Sequence, residues 1–262
     1  MSEVYDCTTP EGLAAGVAAA AEAVRQGLVV VLPTDTVYGI GCDAFDADAV
    51  AAVLAAKGRG REMPPPVLVP NTRAVDGLAR EVPPYVRPLI DAFWPGALTL
   101  VLESQPSLTW DLGETNGTVA LRMPDHEVTV AVLGEVGPMA VTSANLTGSP
   151  AAQSVSEAQD QLGAAVAVYL DGGPAGGGVA STILDCTGSA PITLREGAVS
   201  RRQVDDVLDA AEVEQQEREA AAAREVAAQA TGHAQSPPVR PASARPKGPR
   251  IAGSRRRPPA AR

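Results

Sequence analysis

Apolar and polar positions alternate along the chain in two periods. An Ala-rich amphipathic stretch over 11–26, stopped by Gly27, predicts a helix. The unbroken apolar run 28–32, ended by Pro33, predicts a buried strand. Residues 33–44 are rich in Thr, Asp and Gly and read as a loop. Asp46 is placed to cap a helix through Ala56 that carries Val50, Val53 and Leu54 on one face. Pro64, Pro65 and Pro66 forbid helix and lead into a short strand at 67–69. Helical periodicity returns near 72–80 and 84–93, then over 125–135 and 155–162. Strands are expected at 97–102, 118–123, 138–142, 166–170, 182–186 and 192–194. This interleaving defines an α/β class with flanking helices. Several connections are too short for parallel crossovers, so a twisted sheet of mixed parallel and antiparallel strands is expected.

Residues 201–230 read as one long helix in which Val204, Val207, Leu208 and Ala211 dock on the body. Beyond Glu212 the Glu, Gln and Ala pattern lacks an apolar stripe, so that part is expected to project into solvent. The Pro-rich tail 233–262 has no periodicity and is expected to be disordered. The expected division is therefore a body over 1–200, an Ala/Glu-rich helix over 201–232 and a tail over 233–262.

Charge sharpens that division. The chain nets -10, but residues 233–262 carry eight Arg or Lys and no acid, so 1–232 holds 13 cations against 31 acids, a net of -18. An acidic body bearing a basic tail suggests an RNA contact through the tail, with folding back on the body as the competing outcome. The longest apolar stretch, 12–21, is about half of a membrane span. The acidic N-terminus lacks a signal-peptide core. Cys7, Cys42 and Cys186 give neither a disulfide framework nor a metal spacing, and two His argue against zinc catalysis. A reduced, cytoplasmic, non-membrane protein is expected. Of 21 basic residues only Lys57 and Lys247 are Lys, so Lys57 is the one lysine of the body.

Candidate chemistry falls on strand ends. The loop Pro33-Thr34-Asp35-Thr36-Val37-Tyr38-Gly39-Ile40-Gly41 follows a buried strand, where two hydroxyls, a carboxylate and two glycines approach a polar ligand closely. Lys57-Gly58-Arg59-Gly60-Arg61 puts three cations within five residues, suited to a polyphosphate or carboxylate. Favourable placement at a helix C-terminus also explains it, but Arg throughout would satisfy that. Gly39-Ile40-Gly41-Cys42-Asp43-Ala44 matches a loose dinucleotide fingerprint, in the wrong context. Ser143-Ala144-Asn145, Arg122 and Arg195 each close an expected strand.

Taken in order, PTDTVYGIG, KGR 23 residues after Thr34, FWPGALTLVL, VALRMP, VTSANLTG and STILDCTG with Arg195-Glu196-Gly197 resemble the YrdC-like family, the threonylcarbamoyl-AMP synthases of tRNA modification. The similarity spans about 12–200. It implies a YrdC-like fold around a large basic cavity, and 1–200 as the catalytic domain. It further implies a nucleotidyltransferase reaction joining L-threonine, bicarbonate and ATP into L-threonylcarbamoyl-AMP. A threonylcarbamoyl transferase complex and tRNA are the implied partners, and double-stranded RNA binding accompanies the family.

Carried over by position, the resemblance gives Lys57, Arg59, Ser143 and Asn145 catalytic roles at the ATP phosphates and carbamate. Met63, Thr118, Ala144 and Arg195 join them on the ATP side. Thr36, Leu68, Arg122, Thr142 and Ser181 fall on the threonine side. Met63 stands where an Asn often lies, and Leu68 where a His does. The longer members' second domain has no counterpart. Mg²⁺ is expected to share the phosphate charge, with Asp35, Asp43 and Asp185 as candidate carboxylates. A paralogue that binds RNA or nucleotide without being the main synthase is the alternative. A carbamoyl-transfer module of hydrogenase maturation would need zinc fingers and an acylphosphatase domain, and neither fits.

Overall fold

The computed structural model describes residues 2–233. Ten strands are formed: β1 (Glu3–Asp6), β2 (Val30–Leu32), β3 (Gly39–Asp43), β4 (Val67–Leu68), β5 (Leu98–Glu103), β6 (Thr118–Arg122), β7 (Met139–Ser143), β8 (Val168–Asp171), β9 (Thr182–Asp185) and β10 (Ile192–Arg195). They join in one open sheet in the order β1-β8-β2-β3-β7-β4-β6-β5-β9-β10. β8 is parallel to both β1 and β2, and the pairs β4–β6 and β5–β9 are also parallel. The remaining five pairings are antiparallel, so the expected mixed sheet is what forms. The helices are α1 (Pro10–Arg25), α2 (Ala47–Ala56), α3 (Ala74–Leu78), α4 (Val86–Phe93), α5 (Glu127–Val136), α6 (Val155–Leu162) and α7 (Arg201–His233).

Local chemistry sets the element ends. Thr9 caps α1 by accepting from Gly12 N at 3.1 Å, and Pro10 opens the helix where its missing N–H costs nothing. Asp46 caps α2 by accepting from Asp48 N and Ala49 N, both at 3.0 Å.

Two strands depart from the sequence reading. β1 is a polar edge strand that pairs with β8, and its exposed Glu3 and Asp6 disguise it. β3 lies inside the stretch read as a loop and pairs with both β2 and β7. Its glycines conceal the alternation. Ile40 and Cys42 point into one core, while Gly39 and Gly41 lie under the branched methyls of Val141. A Cβ at Gly39 would meet Val141 Cγ1 at 2.7 Å. Gly39→Ala is expected to destabilise the fold by about 1–3 kcal/mol through overpacking. Val141→Ala in that background should recover part of the loss. Urea titration of the two variants measures both effects.

Strand alternation divides the core in two. Val29, Val31, Ile40, Cys42, Leu98, Leu100, Leu102 and Leu121 belong to one cluster with residues of α2, α3, α4 and α6. Val30, Leu32, Leu68, Met139 and Val141 belong to the other, with α1 and α5. Among the described residues, helices cover the second face along the β1 to β7 half, where α1 packs on β1, β8, β2 and β3 and also on α5. Strands β4, β6, β5, β9 and β10 present the rest of that face to the site below.

Residues 1–214 make one compact unit and a second begins at Gln215. Within the first, Val204 is buried and Val207 and Leu208 pack against the main core. Within the second, α7 continues as an exposed helix through residue 225, with an i,i+4 bond from Gln215 Nε2 to Glu219 Oε1 at 2.9 Å. The tail expectation falls beyond His233, outside the described residues. No described helix is long and apolar enough to cross a membrane.

Candidate functional site

The uncovered half of the sheet floors a cavity of about 510 Å³. Leu68, Val101, Ala120 and Ile183 supply an apolar floor, and the strand ends and turns around it supply polar groups. Lys57, Arg59, Arg122 and Arg195 line it, and among the described residues no Asp or Glu does.

The loop between β2 and β3 is held by its own hydroxyls. Thr34 Oγ1 donates to Val37 O at 2.6 Å and accepts from the backbone N–H of Thr36 and of Val37, each at 3.2 Å. Thr36 Oγ1 lies 3.0 Å from Thr34 Oγ1 and accepts from Arg122 Nη1 at 3.1 Å. Arg122, 7% exposed, donates its Nε to Gly96 O at 2.8 Å and its Nη2 to Asp35 Oδ1 at 2.5 Å. Of five guanidinium N–H groups, three are so used, and two remain for a ligand. Asp35 also accepts from Asp125 N at 3.0 Å. This candidate metal carboxylate is therefore the partner of an arginine.

Lys57 is the C-cap of α2 and is 3% exposed. Its Nζ donates to Ser143 O, to Asn145 O at 2.7 Å and to Asn145 Oδ1 at 3.3 Å, and its own carbonyl accepts from Thr147 N at 2.9 Å. All three ammonium protons thus rest on the turn after β7. Burial, with Arg59 beside it, pushes its pKa down to about 8. The Asn145 amide completes the turn by donating to Leu146 O and Ser149 O, both at 2.8 Å. Arg59 Nη1 donates to Thr142 Oγ1 at 2.9 Å, while its buried Nε has no protein partner.

On the far side Arg195 grips Ser181. Its Nε and Nη2 donate to Ser181 O at 3.0 and 2.8 Å, and Nη2 also reaches Ser181 Oγ at 3.1 Å. A register shift in β10 between Thr193 and Arg195 leaves Leu194 as the extra residue. Consecutive Leu194 and Arg195 both line the cavity because of it.

Of the residues singled out from sequence, Thr36, Lys57, Arg59, Met63, Leu68, Arg122, Thr142, Ser143, Asn145, Ser181 and Arg195 converge on this cavity. Two do not. Ala144 is fully buried, its N–H donating to Tyr38 O at 2.8 Å, so its side chain meets no ligand space. Thr118 opens β6 at the end opposite Arg122, donates to Thr115 O at 2.8 Å and lines a second cavity of about 550 Å³ with Arg80, Glu103 and Asp111. Thr34, one of the two loop hydroxyls singled out from sequence, lines the main cavity too, as does Thr99, which was missed. For Thr99 the only signal was one hydroxyl inside the apolar run 98–102.

An open mixed sheet with a cation-lined cavity on its bare half defines an α/β protein whose site is suited to small anions. The family model Sua5/YciO/YrdC, described as "Telomere recombination", matches residues 22–197. A Mycobacterium leprae protein provisionally named threonylcarbamoyl-AMP synthase is 55% identical over 79% of this chain and 94% of its own. The Bacillus subtilis threonylcarbamoyl-AMP synthase is 39% identical over 73% of this chain and 56% of its own. The crystal structure of Pyrococcus abyssi Sua5 complexed with L-threonine superposes with a TM-score of 0.71 at 34% identity, covering 73% of this chain and 56% of that one. The chain belongs to the Sua5/YciO/YrdC family. It spans nearly all of the mycobacterial relative and a little over half of the other two.

Proposed function

We propose that this chain is a threonylcarbamoyl-AMP synthase, a nucleotidyltransferase that converts L-threonine, bicarbonate and ATP into L-threonylcarbamoyladenylate, pyrophosphate and water. The observation that carries the reading is the cavity charge: four cations and no carboxylate, within a sequence whose residues 1–232 net -18. All three substrates are anions or carry a carboxylate. The names of the relatives, and the threonine held by the archaeal neighbour, support the same reading.

The threonine amine attacks the carbon of bicarbonate, a C–N bond forms as one C–O bond breaks, and that oxygen leaves as water with a proton from the amine, giving a carbamate. A carbamate oxygen then attacks the α-phosphorus of ATP, the bond to the bridging oxygen breaks, and pyrophosphate leaves. The protein supplies alignment and positive charge rather than a proton relay. The two unused N–H groups of Arg122 take the threonine carboxylate, with Thr36, Thr142 and Ser181 as hydroxyl contacts and Leu68 against the methyl. Arg59 faces the phosphates with its guanidinium together with Ser143, Asn145 and Arg195, and Met63 closes that side. Lys57 charges the turn from beneath.

A resident Mg²⁺ does not fit these residues. Asp35 pairs with Arg122, Asp43 accepts from Phe45 N, Asp185 accepts from Thr187, and among the described residues no carboxylate, these three included, lines the cavity. Any Mg²⁺ enters as part of the ATP substrate. The product is a reactive mixed anhydride, so its consumer is a cytoplasmic transferase complex that hands the threonylcarbamoyl group to tRNA.

Pyrophosphate release from ATP by the purified chain, with L-threonine and bicarbonate omitted in turn, tests the assignment. Release is expected to require both. L-Serine should be poorer by about 1–3 kcal/mol in kcat/KM for the missing methyl. Turnover indifferent to threonine overturns the synthase reading, and nucleotide or RNA binding without turnover establishes the paralogue reading instead.

A further inference from the structure

Thr99 lies on β5 with its hydroxyl on the cavity face, whereas its neighbours Leu98 and Leu100 point into the opposite core. The sheet register explains the company it keeps. Thr99 pairs with Ile183 of β9, and Ile183 pairs with Arg195 of β10, so a single row runs from Thr99 to the guanidinium. Ser181 sits two residues before Ile183 and shares its face. Thr99 Oγ1 and Ser181 Oγ are 2.9 Å apart, and Thr99 is 1% exposed.

Counting protons makes this pair informative. Arg195 is an obligate donor, so Ser181 Oγ accepts from Arg195 Nη2. Two hydroxyl protons remain between Thr99 and Ser181, and one of them makes the bond that joins the pair. The other has no protein acceptor among the bonds of either side chain. One O–H donor is therefore left over, and both residues border the cavity.

We propose that Thr99 is a positioning residue for the L-threonine site. Thr99 donates to Ser181 Oγ and Arg195 donates to the same oxygen, filling both lone pairs. The Ser181 O–H then has no internal partner and is presented to an oxygen acceptor of the bound amino acid or of its carbamate. The inference rests on the synthase reading for the identity of that ligand. Thr99 touches no reacting atom. It acts by fixing which way the serine proton points, and it competes for nothing else in the buried strand.

The test combines L-threonine affinity by calorimetry with the kinetics of pyrophosphate release, on the full chain. Thr99→Val keeps shape and removes the donor. It is expected to weaken L-threonine binding and raise its KM about tenfold, with kcat within about twofold, the effect of one hydrogen bond to a charged acceptor. Thr99→Ser should return both values to within about twofold of the wild type. In the Ser181→Ala background, Thr99→Val should add nothing further, because its effect passes through that serine. Full additivity of the two changes overturns the proposal. So does a Thr99→Val enzyme with unaltered threonine affinity, or a Thr99→Ser enzyme as impaired as Thr99→Val. A wild-type chain that binds L-threonine yet releases no pyrophosphate sinks the synthase reading alone, since the affinity arm still decides on Thr99. A wild-type chain that binds no L-threonine overturns both.

Discussion

Lys57→Met is expected to lower turnover by about 10²–10³-fold, the usual loss for one preorganised electrostatic group, and to destabilise the fold by between about 0 and 6 kcal/mol. The balance follows from two opposing costs. Held at about 8 instead of 10.5, the buried ammonium costs the fold about 3 kcal/mol at neutral pH. Removing it recovers that cost. It also strips the partner from Ser143 O, Asn145 O and Asn145 Oδ1, at about 1–3 kcal/mol for each group left buried. The turn after β7 should survive, because the Asn145 amide still ties it to Leu146 O and Ser149 O.

The sign of the pH dependence is fixed by the same burial. Between about pH 8 and 10.5 the unfolded chain holds a proton on Lys57 that the folded chain has lost. Stability contributed by this residue therefore rises with pH across that window, and the charging cost is fully present below it. Electrostatics at the site run the other way. ATP affinity of the free enzyme should weaken as pH climbs past about 8 and the cavity loses a charge, and Lys57→Met should lack that alkaline limb. Calorimetric ATP titrations between pH 7 and 9.5, with urea titrations alongside, measure both. An unaltered alkaline limb in Lys57→Met assigns it to another group.

Arg122→Met should be the most destabilising single change in the site, by about 3–5 kcal/mol. Asp35 is 16% exposed at its side chain and takes its 2.5 Å ion pair from this residue alone. Cutting the guanidinium away leaves a nearly buried carboxylate with only the Asp125 N–H to accept from. Asp35→Asn in the same background should restore part of the stability but no threonine binding. That separates the structural role of the pair from its ligand role. Arg122→Lys keeps the charge, but one ammonium cannot reach Gly96 O, Thr36 and Asp35 in the fork geometry, so stability should fall less and threonine affinity nearly as far. Urea midpoints and threonine titrations of the three variants distinguish these outcomes.

Long periodic elements were legible in the sequence because their signals are local. Asp46 announces α2, and the apolar runs announce β2, β5 and β7. β3 was not legible, since a strand that alternates Gly with Ile and Cys carries half of its pattern in a neighbour, Val141, about a hundred residues away. β1 is stabilised by its pairing to β8 rather than by apolar content. Most site residues could be named because the motifs in their order resemble a known family, while their position at element ends marked Lys57, Arg59, Arg122, Ser143, Asn145 and Arg195. What they do to one another could not. Asp35 pairs across 87 residues with Arg122, and Lys57 reaches carbonyls 86 and 88 residues on. Thr99 was invisible because only the sheet order reveals which face of β5 lacks a helix.

That bare half-sheet acts as a ruler. Arg122 closes β6 and Arg195 closes β10, and the order β6-β5-β9-β10 puts three strand intervals between them. At about 4.8 Å each, the separation across the sheet is about 14 Å, set by backbone hydrogen bonding and not by any loop. Loops can be lengthened or trimmed without altering it. The two guanidiniums lie closer than that, because Arg195 folds back to Ser181 Oγ, itself 2.9 Å from Thr99 on the strand beside β6. Setting the backbones of the two arginines further apart would take an added strand between them, which shifts every pairing beyond it.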